Sequence, residues 1–124
     1  MAEFNLINRA ENMVDYLLTI TDKAPKKLRS DIIPELRRAS FKCIQAIIKA
    51  NNCPLDKTQS YYTELRKQYQ LETKSFLQTI SAYSEICVKH NYITKKQFDV
   101  LNDHIFKCQD TLIKWMTSDE NRLK

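Results

Sequence analysis

The chain has 124 residues, 43% of them apolar and 28% charged, with a net charge of +5, a composition that fits one folded domain rather than a disordered chain. It contains no glycine; this argues against phosphate-cradling loops, nucleophile elbows and tight hairpins, which use glycine for positive φ or close backbone approach. No run of 18 apolar residues and no basic start followed by an apolar stretch occur, so the expectation is a cytoplasmic protein with no membrane span or secretory signal.

Apolar residues recur at three- and four-residue steps in four stretches, which predicts four amphipathic helices. The first covers residues 3–21, with Leu6, Ile7, Ala10, Met13, Val14, Leu17 and Leu18 in step, and stops before Pro25, because the residue preceding a proline is pushed out of the helical region. The second carries Ile32, Leu36, Ala39, Cys43, Ile47 and Ala50; Ser30 and Asp31 are its cap candidates, and Pro34 sits in its first turn, where a missing N–H costs little. Asn51-Asn52-Cys53-Pro54 closes it, and Asp56 or Thr58 is placed to cap the next helix.

The third helix is expected over residues 58–90, with Tyr62, Leu65, Tyr69, Phe76, Ile80, Tyr83 and Cys87 as its seam and an interruption at Glu72 or Thr73. Thr94 and Gln97 form a capping-box pattern, in which each side chain satisfies the other's free backbone donor. The fourth helix then places Phe98, Leu101, Ile105, Cys108, Leu112 and Trp115 on one face, to about residue 117. Four stripes joined by short polar connections predict an all-α, antiparallel up-down-up-down four-helix bundle in a single domain. Ile44, Ile48, Phe106 and Ile113 lie beside the main stripes and are expected to be left over for self-association.

Cys43, Cys87 and Cys108 fall on the stripes and read as buried, reduced thiols, whereas Cys53 lies in a connection and is expected to be exposed and reactive. Cys87 with His90 and His104 with Cys108 have metal-ligand spacing on a helix. Folding the hairpin leaves the two pairs roughly 9 Å out of register at the helical rise, so no metal site is expected. No paired inward carboxylates and no Cys-His pair within one layer are present, so the expectation is a non-enzymatic protein without cofactor.

Charge is distributed unevenly. Residues 1–22 carry one basic residue against four acids, whereas residues 23–51 carry eight basic residues against two acids, a net +6. Lys23, Lys26, Lys27 and Arg29 crowd the first connection; Arg37, Arg38, Lys42 and Lys49 follow on the second helix; Arg66, Lys67 and Lys74 extend the set onto the third. Such a strip suits a phosphate backbone, where neutralised phosphates release counterions. An acidic protein surface is the alternative partner, and a plain solvated face is the bland one. Tyr61, Tyr62 and Tyr69 read as core or interface residues rather than base-stacking surfaces.

Three segments carry a resemblance: Lys23-Ala24-Pro25-Lys26-Lys27-Leu28-Arg29; Ile47-Ile48-Lys49-Ala50-Asn51; and Tyr92-Ile93-Thr94-Lys95-Lys96-Gln97-Phe98 followed by Ile113-Lys114-Trp115. They resemble the basic joint, the close of the second helix and the final hairpin of the bacterial four-helix-bundle family that includes the ribosomal RNA intervening-sequence protein and the accessory variability determinant of diversity-generating retroelements. That family commonly has glycine before its last tryptophan, where this chain has Lys114. The resemblance implies a homopentameric barrel and, from the retroelement branch, binding of RNA or DNA and of a reverse transcriptase.

Overall fold

A computed structural model describes residues 2–24 and 31–124, with side chains from residue 5 onward. Four helices account for most of them: α1 (Ala2–Asp22), α2 (Ile32–Asn52), α3 (Ser60–Lys89) and α4 (Lys95–Arg122). Each packs on its neighbours in chain order, and α1 closes the square against α4. Arg37 on α2 reaches back to Thr21 near the end of α1, and the contacts of α1 with α4 run from Arg9 at Lys107 to Tyr16 at His104, so α4 runs opposite to α1. The expected antiparallel bundle is therefore observed.

The core is one cluster drawn from all four helices, with Leu6, Met13, Leu17, Leu36, Ile47, Leu77, Ile80, Leu101, Ile105 and Leu112 essentially sealed. The most extensive helix–helix contact is between α2 and α3. On α2, Ala39, Cys43, Ala46 and Ala50 alternate four- and three-residue steps and are all buried; small side chains along such a line let two backbones approach closely.

Asn91 has φ 62 and stands just past the C-cap of α3, the position usually given to glycine. Its N–H donates to the Val88 carbonyl, and that of Tyr92 donates to the Cys87 carbonyl at 2.8 Å. This is the paired bonding of a Schellman stop, supplied by asparagine in a chain without glycine. The expected Thr94–Gln97 capping box is present, with Thr94 Oγ1 accepting from the Gln97 N–H and Gln97 Oε1 accepting from the Thr94 N–H.

Four expectations are corrected. First, the face of α3 turned inward is Arg66, Gln70, Thr73, Leu77, Ile80, Ser84 and Cys87, one position round from most of the expected seam; Tyr69, Phe76 and Tyr83 pack only partly against the core, and Tyr62 is exposed. No interruption occurs at Glu72 or Thr73: α3 is continuous, and the Thr73 hydroxyl donates to the Tyr69 carbonyl one turn back. Second, α4 continues past residue 117 to Arg122 because Asp119 is buried and bonded. Third, neither Asp56 nor Thr58 is the cap of α3. Gln59 is its N-cap, and Asp56 instead folds the connection, its Oδ1 accepting from both the N–H and the hydroxyl of Thr58. These donors hold the Asp56 carboxyl below its usual range. Fourth, Cys53 is buried, like the other three cysteines. The cap candidate Ser30 lies outside the described residues, and Asp31 is the N-cap of α2 without a side-chain bond.

One polar cluster joins three parts of the bundle. Arg66 on α3 donates to Asp119 on α4 through Nε at 2.7 Å and Nη2 at 3.0 Å, and through Nη1 to the Cys53 carbonyl at 3.0 Å. Gln70 Nε2 donates to the same carboxylate at 2.9 Å, and the guanidinium lies 5.1 Å from the ring centroid of Trp115. Both charged side chains are 8% exposed, so removing one partner would leave the other desolvated and unpaired. Asp119→Ala is expected to cost about 3 kcal/mol, read by chemical denaturation, while Arg66→Met combined with Asp119→Leu is expected to recover most of that loss.

Burial pushes the thiols of Cys43 and Cys108 from the usual 9.0 up to about 12, and that of Cys87 to about 11. The folded protein holds them protonated where the unfolded chain would ionise, so their contribution to stability is complete below pH 9 and falls as pH rises towards 12. All four cysteines are expected to resist brief alkylation at pH 8 and to react together only once denaturant unfolds the bundle, with mass spectrometry as the readout.

Candidate nucleic-acid interface

The basic residues on α2 occupy two sides of that helix, set by its 100° advance per residue. Arg37, Ile44, Ile48 and Phe41 share the side that meets α1. There the Arg37 Nε donates to Thr21 Oγ1 at 2.9 Å, and its Nη2 lies 4.0 Å from Asp22 Oδ1. Arg37 therefore tethers α1 to α2 and is not part of an outward basic strip. Lys23 is exposed beside it, lining a shallow recess with Leu18, Thr19 and Asp22.

Arg38, Lys42 and Lys49 form the outward strip, all exposed, at steps of four and seven residues. Arg38 lies 3.8 Å from Glu35, with both side chains more than half exposed, a geometry that contributes little and competes weakly with a phosphate. Lys49 Nζ stands 5.7 Å from the centroid of Tyr69, which places the strip at the α2–α3 edge.

The third helix does not extend this strip. Arg66 is buried in its bond to Asp119, which corrects its expected place among phosphate contacts. Lys67 and Lys74 are exposed on the far side of α3, in grooves shared with α4: Lys67 with Glu64, Met116 and Glu120, and Lys74 with Leu71, Gln109, Ile113 and Glu120. Lys26, Lys27 and Arg29 lie outside the described residues.

Neutralisation separates the helices. On α4, Lys95, Lys107 and Lys114 each pair at four-residue spacing with Asp99, Asp103 and Asp110, at 2.8, 3.1 and 3.0 Å. Among the described residues, Lys42, Lys49, Lys67 and Lys74 have no carboxylate within 4.0 Å. Lys96 and Arg122 of α4 likewise have none, so α4 is neutralised at Lys95, Lys107 and Lys114, while Lys42 and Lys49 on α2 and Lys67 and Lys74 on α3 stay unneutralised.

Two groups of exposed apolar residues lie on opposite sides. Phe41 and Ile48 lie on the α1 side of α2, with Ile44 half-buried beside them; Leu71 and Ile113 line the α3–α4 groove, whose volume is about 410 Å3, and Phe106 is exposed on α4 seven residues before Ile113. Ile44 packs against the core, which removes it from the expected surplus. Four further residues of this kind are exposed: Ile86 on α3, Val100 on α4, and Tyr61 and Tyr62, which project near the start of α3. No local signal in the sequence separated them from core residues, since neighbouring helical positions such as Met13 and Val14 are both buried.

Among the described residues, no three His, Cys, Asp or Glu side chains come together to hold a metal ion, and no helix is long and apolar enough to cross a membrane. Compared with known proteins, the sequence matches no family model and no curated protein.

Proposed function

We propose that this protein is a non-catalytic nucleic-acid-binding accessory protein that holds RNA or DNA by its phosphates along the α2 face. The observation that carries the reading is the contrast between α4, where Lys95, Lys107 and Lys114 are each paired with an aspartate, and α2, where Lys42 and Lys49 have no acidic partner among the described residues. Free, exposed cations in a row are what a polyanion needs, and phosphate contacts of this kind carry no base preference. The three-segment resemblance adds the finer reading: a role beside a reverse transcriptase, as in the accessory determinant of diversity-generating retroelements.

The placement of apolar residues supports a closed homo-oligomer. Phe41 and Ile48 on one side and Leu71, Phe106 and Ile113 on the other would meet head to tail between copies, and such heterologous contacts form rings when the rotation closes. A pentamer is the ring the resemblance implies. It would repeat the α2 strip at equal intervals and leave the strip free of the contact.

Purified protein is expected to carry nucleic acid that a high-salt wash removes, seen as a fall in the 260/280 absorbance ratio. Arg38→Gln, Lys42→Gln and Lys49→Gln together should lower affinity similarly for unrelated single strands and flatten the log K against log salt slope by about 2, at roughly 0.7 per phosphate contact. Helicity should be unchanged. Unaltered binding by the triple variant would remove α2 as the site, whereas salt-sensitive capture of an acidic protein without any nucleic acid would support docking to a protein instead.

A further inference from the structure

We propose that Tyr61 and Tyr62 form a base-stacking platform at the end of the α2 strip, so that the nucleic acid held there is single-stranded. The inference rests on the reading of Arg38, Lys42 and Lys49 as phosphate contacts and adds what lies next to them.

The register follows from one contact. Lys49 stands over the Tyr69 ring, and α3 runs antiparallel to α2, so the direction from Arg38 to Lys49 along α2 continues from Tyr69 to Tyr62 along α3. Eleven residues separate Arg38 from Lys49 and seven separate Tyr69 from Tyr62, together about 27 Å at the helical rise. That length takes about eight nucleotides at the stacked spacing of 3.4 Å and fewer when the strand is extended, within the range of small single-strand-binding folds.

Packing does not account for these rings. Tyr62, Tyr69, Phe76 and Tyr83 repeat every seven residues, and the last three pack against the core. Tyr62 is 43% exposed and Tyr61 70%. Their centroids are 5.2 Å apart with planes at 80°, an edge-to-face arrangement that fixes both rings at the surface. Beside them is an open recess of about 380 Å3 lined by Ser60, Tyr61, Glu64, Leu65 and Gln68.

The carboxylate at Glu64 repels a phosphate but accepts hydrogen bonds from base amino groups, as an acidic side chain does from cytosine N4. The recess is thus chemically suited to bases, while Lys42 and Lys49 are suited to the backbone. A duplex keeps its base faces covered; only an unpaired strand can present backbone to one set and bases to the other.

The test compares an unstructured single strand with its duplex, by fluorescence anisotropy at fixed salt. The unmodified protein is expected to favour the single strand. Tyr61→Ala with Tyr62→Ala should weaken single-strand binding about tenfold and leave duplex binding unchanged, whereas Tyr61→Phe with Tyr62→Phe should bind as the original. Photocrosslinking of the unmodified protein to a single strand carrying a thio-substituted base, read by mass spectrometry, should label the segment spanning residues 60–68. Unchanged single-strand affinity in the alanine variant, an equal loss on both ligands, or crosslinks confined to other segments would overturn the platform while leaving phosphate binding by α2 intact. Salt-sensitive binding to neither ligand by the unmodified protein would overturn both readings.

Discussion

The pairing of Arg66 with Asp119 determines how the polar end of this bundle is built. One guanidinium bonds to α4 through two nitrogens and to the α2–α3 connection through a third, with Gln70 completing the carboxylate's set of donors. Burying two charges is favourable only when geometry is this complete. The consequences spread outward. Asp119 keeps α4 helical through Arg122, the Cys53 carbonyl fixes where the chain turns between α2 and α3, and the start of α3 is thereby positioned with Tyr61 and Tyr62 outside the core. A residue that would otherwise add to surface charge is spent inside, so the basic surface is narrower than a count of cations suggests.

That narrowing gives the surface its organisation. Arg37 is engaged by Thr21 and Asp22, Arg66 by Asp119, and Lys95, Lys107 and Lys114 of α4 by aspartates one turn away. What remains on the α2–α3 edge is a short row of cations ending at exposed aromatics. Phe41 and Ile48 lie at one further edge and Leu71 and Ile113 at another, so the proposed self-association and ligand binding need not compete for the same side chains. Lys67 and Lys74 belong to the α3–α4 groove, where Glu120 tempers their charge.

The helices and their order were legible in the sequence because apolar periodicity runs through each of them, although the expected caps of α3 and the end of α4 were not. Thr94 with Gln97 announced the start of α4, and Pro34 fitted the first turn of α2. The inward face of α3 was not legible in the same way. Its line of Arg66, Gln70, Thr73 and Ser84 is polar, while the heptad of Tyr62, Tyr69, Phe76 and Tyr83 beside it looks like a seam. Aromatic rings at the shoulder of a helix mimic a core stripe, and a buried ion pair between residues 53 positions apart has no local signature. For the same reason Arg66 was grouped with surface cations, and Cys53 was expected to be exposed although a carbonyl bonded to a buried arginine holds it in place. On α2, spacing alone grouped Arg37 with Arg38; the difference between them is the neighbouring helix, which only the fold supplies.

The central claim is that ligand charge meets the α2 edge and not the bundle's positive charge in general. Lysine acetylation under trace-labelling conditions, compared by mass spectrometry with and without a saturating single-stranded oligonucleotide, tests it residue by residue in the unmodified protein. Lys42 and Lys49 should become protected, while Lys67, Lys74, Lys95, Lys107 and Lys114 keep their rates. Protection spread evenly over all seven, or confined to Lys67 and Lys74, would contradict the account.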